Sequence, residues 1–211
     1  MPLPTADFSL FLAAALIIAA VPGPGIFYVA ARTLSEGRRA GIASTLGTAL
    51  GGLVHVIAGG LGISALILAS AQAFAVLKFA GALYLIWLGI RAFREAGQLP
   101  LATTKPAGSA RAFREGIVVE ATNPKTAAFF LAFIPQFLDT AAAHPALQFM
   151  MLGLISVTLN TLADLVVVAV ASATRKNFTQ RPVLFQRLRQ GSGFFMMGLG
   201  VSLVLARRPA N

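Results

Sequence analysis

From Phe8 to Ala31, and again from Gly41 to Ala69, the chain runs without a single Asp, Glu, Lys or Arg. Uncharged apolar runs of about 18 residues or more mark helices that cross a bilayer, because roughly 20 residues at about 1.5 Å rise match a hydrocarbon core of ~30 Å. Further apolar segments cover 73–93, 116–138, 146–173 and 193–206. The expected fold is therefore all-α, a polytopic membrane protein of six transmembrane helices. The last segment is short for a span, so it begins earlier, near Leu188, or thins the bilayer locally. A soluble helical protein is the alternative, but only 11% of the residues are charged, against roughly 25% in soluble domains.

A net charge of +10 raises nucleic acid as a partner. The charges are placed otherwise. Arg32, Arg38 and Arg39 follow the first segment; Arg91, Arg94, Lys105, Arg111 and Arg114 follow the third; Arg175, Lys176, Arg181, Arg187 and Arg189 follow the fifth. The N-terminal tail and the second and fourth connections carry neither Lys nor Arg. Cytoplasmic loops collect positive charge, so the first, third and fifth loops are expected inside and both termini outside a cytoplasmic (inner) membrane. Arg207 and Arg208 run against that bias. No basic stripe interleaves with aromatics, which argues against nucleic acid. Tyr84, Trp87 and Arg91 read as interface anchors and Lys78 as a snorkelling side chain. The first apolar run lacks a preceding Lys/Arg region and is too long for a signal peptide, so it is expected to stay as the first span.

The segments form one transmembrane domain over 1–211, with halves at 1–95 and 113–211. The linker between them, 96–112, is expected in the cytoplasm and carries Pro100, Pro106, Gly108 and Ser109. Each half opens with a span interrupted by proline, at Pro22-Gly23-Pro24-Gly25 and at Asn123-Pro124-Lys125. Three spans per half is an odd number, so the halves would insert in opposite senses. An inverted 3+3 repeat with broken first and fourth helices is a transporter pattern, and the breaks point to the binding site.

Proline removes a backbone donor and clashes with the turn before it. The freed groups cannot face lipid; they must be covered by protein or line a polar cavity. A packed kink is the plain reading of one proline, and a ligand site is the reading favoured by two matched breaks. Helix N-termini exposed at such breaks suit a carboxylate. Lys125 lies near mid-span, where a charge costs at least ~2.5–3.5 kcal/mol, so an interior position with Glu120 or Asp164 as partner is expected. Those roles compete with proton coupling through Glu120 or Asp164. Asn160, one turn from Asp164, and Gln136 complete the candidate substrate contacts. Gly47, Gly51, His55 and Gly59 recur every four residues, a ridge for close helix packing that also permits homodimer contacts. His55 has a structural reading and a titrating one.

These residues carry a resemblance. VPGPGIFYVAARTLSEGRRAGIASTLGTALGGLVH, LKFAGALYLIWLGIRAFR, EATNPKTAAFFLAFIPQFLD and NTLADL, in that order, resemble the LysE/RhtB family of amino-acid exporters over nearly the whole chain. The resemblance implies proton-driven export of amino acids or relatives such as homoserine, threonine, leucine or basic amino acids. It implies importance for Pro22, Gly23, Pro24, Asn123, Pro124, Lys125, Pro135, Gln136 and Asp164. The chain departs from the family at Gly52, where many relatives carry an acidic or polar residue, and at Glu120, where they often carry an amide.

The expected function is thus a secondary transporter with an amino-acid substrate, protons as coupling ion, the bilayer as solvent and no cofactor. A small-ion or metal-ion carrier is a rival, but it needs several converging acidic, His or Cys ligands, and Lys125 repels cations. An intramembrane enzyme is another, but the chain has no Cys, two His, and neither HExxH nor GxSxG. A non-transporting assembly subunit is the third.

Overall fold

The computed structural model describes residues 5–69, 71–96, 108–138, 144–178 and 182–205, and every element among them is helical. Helix α1 covers Thr5–Ala20 and α2 covers Pro24–Glu36. Helices α3 and α4 follow at Arg38–Ala69 and Ala71–Arg94. Then come α5 at Ser109–Ala121 and α6 at Pro124–Ala128, α6 running on into a π turn at Phe129–Phe133 and a 3₁₀ turn at Ile134–Phe137. Helices α7 and α8 are Pro145–Phe178 and Pro182–Leu205.

Both interruptions lie where proline predicts them. Helix α1 ends before Pro22; Gly23 is extended and caps α2, whose first residue is Pro24. In the second, Asn123 caps α6 and Pro124 stands first in the new helix. Proline suits that position because its missing N–H would have no helical partner there. The later π turn leads to Pro135, which denies the Leu131 carbonyl its usual donor. Gly37 closes α2 at φ 93°, a left-handed conformation that favours glycine, with its N–H on the Thr33 carbonyl at 2.9 Å.

Among the described residues, three segments are long and apolar enough to cross a membrane: Arg38–Gly62, Ser109–Phe137 and Pro145–Ala173. The pair Asp7–Ala20 and Pro24–Glu36, bent by 44°, makes a fourth if it is one span. Element ends differ from the sequence expectation where loop charges join helices. Helix α8 begins at Pro182, well before 193, and α5 begins at Ser109, inside the stretch expected as linker. The rest of that linker, 97–107, lies outside the described residues.

The distribution of side chains is the reverse of a soluble protein's. Leu46, Leu50, Val54, Ile57 and Leu61 form an exposed stripe along α3, and Leu147, Met151, Leu154, Leu162, Val166 and Val170 do so along α7. Ser44, Thr45, Thr48, Glu120, Asn123, Lys125, Thr126, Ser156 and Asp164 are buried. Between these layers, Phe11, Phe129, Phe130, Phe133 and Phe149 build an apolar core, with Phe129 stacked on Phe133 at 5.1 Å.

Helix α3 packs along both α5 and α7, α4 along α8, and α2 between α3 and α7. The α3–α5 crossing is backbone on backbone. A Cβ at Gly51 would stand 2.5 Å from the Ile117 carbonyl oxygen and 2.9 Å from the Ala121 nitrogen, and one at Gly47 would overlap the Phe113 carbonyl. Gly59 instead faces the Phe149 ring. Gly51→Ala should therefore lower the thermal midpoint in detergent, since overpacking costs about 1–3 kcal/mol. Gly62→Ala, with nothing within 4 Å, should hold or raise it slightly by the usual ~0.5–1 kcal/mol helix gain. Equal midpoints for the two variants would show that α3 and α5 do not touch at Gly51.

Candidate functional site

An α-helical carbonyl is served by the N–H four residues on. Pro22 has none to give Ile18, and Pro124 has none to give Glu120. Each keeps one local backbone donor, Ile18 the Val21 N–H at 3.2 Å and Glu120 the Asn123 N–H at 3.0 Å, and each gains a side-chain partner from the other half. Lys125 Nζ donates to the Ile18 oxygen at 3.1 Å and to the Val21 oxygen at 2.9 Å. His55 Nε2 lies 2.9 Å from the Glu120 carbonyl oxygen, and since a carbonyl only accepts, that nitrogen carries the proton. The side chain that mends the first break belongs to the second half of the chain, and the one that mends the second belongs to the first half.

The Glu120 carboxylate is held by its own break. Its Oε2 accepts from Asn123 Nδ2 at 2.8 Å and its Oε1 from Thr126 Oγ1 at 2.6 Å. Asn123 turns its other end to the Lys125 amide, Oδ1 accepting at 3.0 Å, which is the helix cap. Gly25, at the start of α2, stands against this group: a Cβ there would fall 2.5 Å from Glu120 Oε2. Gly23 leaves the same kind of room for the Lys125 stem, at 3.1 Å from Cδ and Cε. Across from them, Asp164 Oδ2 accepts from Thr48 Oγ1 at 2.8 Å, tying α7 to α3.

These groups line one cavity, with about 390 Å³ of empty space when its mouth is included. One wall comes from the breaks, with Gly25, Glu120, Asn123, Lys125 and Thr126. Thr48 and Gly52 on α3 form a second, and Val157, Asn160, Thr161 and Asp164 on one face of α7 form a third, with Phe130 beside them. Of the residues singled out from sequence, Gly25, Glu120, Asn123, Lys125, Asn160 and Asp164 meet here. Pro22, Gly23, Pro24 and Pro124 shape the breaks beside it. His55 lies behind Glu120, its ring 5.7 Å from that of Phe130. Gln136, in the 3₁₀ turn, is apart, its Nε2 donating to the Ala132 carbonyl of the π turn. Lys125 is buried near both carboxylates, yet its hydrogen bonds go to backbone rather than to either of them. The surroundings of Lys78 lie outside the described residues.

Thr48, Thr126 and Thr161 were not legible as site residues. Their one signal is position: Thr126 follows the Asn-Pro-Lys break, and Thr161 sits beside Asn160, one turn before Asp164 on the face they share. Arg32, expected as a loop charge, is a buried helical residue of α2.

The model of the LysE type translocator family matches residues 16–207. The chain belongs to that family. It is a membrane translocator, not an enzyme. An uncharacterized membrane protein of Vibrio cholerae is 32% identical over 93% of this chain and 96% of its own. The homoserine/homoserine lactone efflux protein of Salmonella typhimurium is 32% identical over 93% of this chain and 95% of its own. The leucine efflux protein of the same organism is 27% identical over 68% of each. No solved structure matches.

The translocator's buried lysine gives a test with competing terms. Lys125→Met takes one donor from the Ile18 carbonyl, which keeps the Val21 N–H, and one from the Val21 carbonyl, at about 1.5–3 kcal/mol for each lost charge-assisted bond, and relieves a buried charge of ~2.5–3.5 kcal/mol. The expected result is a folded protein destabilised by only about 1–3 kcal/mol, read from thermal unfolding in detergent, with transport reduced to a small fraction. Wild-type transport by Lys125→Met would show that the first break needs no cap.

Proposed function

We propose that this translocator exports amino acids or close derivatives by alternating access, coupled to the proton gradient across the cytoplasmic membrane. The observation that carries the reading is the meeting of two broken helices at one cavity holding Glu120, Asp164 and Lys125. The efflux proteins among its relatives point to the same substrate class.

Six spans in an inverted repeat are part of the proposal. A broken helix, a long helix and a 24-residue helix occur twice in order, with α3 and α7 at 32 and 34 residues. The α4–α8 contact supports the two-fold relation: a Cβ on Gly89 would lie 2.5 Å from the Gly193 carbonyl oxygen, and one on Gly193 would lie 2.5 Å from the Gly89 oxygen. Such reciprocity is what a two-fold axis produces. The bias of the loop charges supports an orientation with both termini outside. Homodimerisation through further glycine faces remains part of the same reading.

In the site, the α2 and α6 N-termini offer partial positive charge to a substrate carboxylate, and Lys125 adds a full charge beside them. Asp164, with Asn160 and Thr161 on the same face of α7, suits the ammonium group. Glu120 and Asp164 are the carboxylates available to carry a proton, with His55 bonded behind Glu120. Pro22, Gly23, Pro24 and Pro124 keep the helices open at this depth, and Gln136 steadies the turn that follows.

The test is counterflow in proteoliposomes with labelled homoserine, leucine and basic amino acids, with and without a pH gradient. The wild type should move at least one, faster with the gradient imposed; movement of none defeats the reading. Asp164→Asn and Glu120→Gln should each abolish the gradient's effect. Full coupling retained in both would remove these carboxylates from the proton path.

A further inference from the structure

A second charged cluster lies at one end of α2, away from the cavity. The Arg32 guanidinium is buried, with a side-chain exposure of 3%. It pairs with Glu36 one turn on in α2 and with Glu115 on α5. Its Cζ also sits 5.6 Å from the centre of the Tyr28 ring. Tyr28 donates to the Ala112 carbonyl at 2.8 Å and to Glu115 Oε2 at 3.3 Å. Glu36 Oε2 accepts from the amide of Gly108, the residue just before α5, at 2.8 Å. Arg111, exposed, holds the other Glu115 oxygen at 2.6 Å.

The order of these contacts gives the cluster its meaning. Gly25 stands against Glu120, Tyr28 against Ala112 and Glu115, and Glu36 against Gly108. Helix α2 rises in number as α5 falls, so the two lie antiparallel from the cavity to their common end. The cluster fastens the first half of the chain to the second along that seam. A buried guanidinium keeps its carboxylates, because removing one partner strands a charge. Once the seam opens, water solvates all three groups and the attraction drops toward that of exposed pairs. Such a contact is either closed or open, with little between.

We propose that Arg32, Glu36 and Glu115, with Tyr28, form the latch that closes the cavity at the α2–α5 end, and that this latch parts when a substrate passes that end. On the loop-charge orientation this is the cytoplasmic end, where an exporter loads. The proposal rests on the alternating-access reading, but its test uses no substrate. A wild-type protein that moves no amino acid therefore leaves the test intact.

The chain has no cysteine, so one introduced thiol reports alone. Thr161→Cys places it on the cavity wall. A membrane-impermeant maleimide is applied from either face of membrane vesicles of known orientation. Glu115→Gln in that background should raise labelling several-fold from the cytoplasmic face and lower it from the other. Tyr28→Phe, which keeps the ring and loses the hydroxyl contacts, should give a smaller change of the same sign. Arg91→Gln, which breaks the exposed Arg91–Glu95 pair on α4, should change neither face. A rise from the opposite face alone keeps the latch and reverses the orientation. No rise with Glu115→Gln and Tyr28→Phe, or an equal rise on both faces, overturns the latch.

Discussion

A carbonyl that loses its helical donor inside a bilayer has no water to turn to, and the fold is organised around supplying a substitute. Pro22 and Pro124 each create one such carbonyl, four residues earlier. Lys125 serves Ile18 and Val21 from the second half of the chain; His55 serves Glu120 from the first. The repair is crossed. Each carbonyl keeps one backbone donor in its own half and takes a second, side-chain donor from the other, so the halves are bound to each other where the helices are interrupted. A lysine, costly there on its own, becomes tolerable because its donors meet two backbone oxygens at the break.

That crossed repair demands short distances, and the glycines provide them. His55 reaches the Glu120 carbonyl because α3 and α5 touch along Gly47 and Gly51, with no side chain between. Gly23 does the same for Lys125, and Gly25 for the Glu120 carboxylate. A methyl group at any of these places would press on the groups that meet there. The exposed stripes of leucine and valine on α3 and α7 follow from the same division of labour: small and polar faces turn inward to bond, and large apolar faces are left for lipid.

Much of this was legible in the sequence, for reasons that also explain what was not. Proline in an apolar run has an unavoidable backbone consequence, so the positions of both breaks could be read directly. A charge amid apolar residues must be buried or bonded, so Lys125, Glu120 and Asp164 stood out. Their pairing did not. Charge complementarity matched Lys125 with a carboxylate, whereas the geometry gives it backbone oxygens and gives Glu120 to Asn123 and Thr126. Backbone acceptors leave no mark in a sequence, because every residue has one. Thr48 and Thr126 were hidden for a related reason: a threonine in a helix ordinarily bonds its own preceding turn, as Thr161 does to Val157 and Thr48 to Thr45, and only the fold shows which one also meets a carboxylate. Arg32 was read as a loop charge because it directly follows an apolar run; the helix continues one more turn, to Glu36, and carries it into the protein.

The charge balance of the cavity follows from these pairings. It holds two carboxylates and one ammonium, and that ammonium is committed to the Ile18 and Val21 carbonyls. With all three ionised, the site carries one negative charge in excess, in surroundings where screening is weak. A proton cancels that excess, whereas an amino acid brings its own carboxylate with its ammonium and leaves the net charge unchanged. On the export reading, proton and substrate ammonium compete for the Asp164 carboxylate, and that competition couples the two flows without either ligand sensing the other through a distant part of the protein. Ligands that share one carboxylate are linked locally, and the coupling runs equally in both directions.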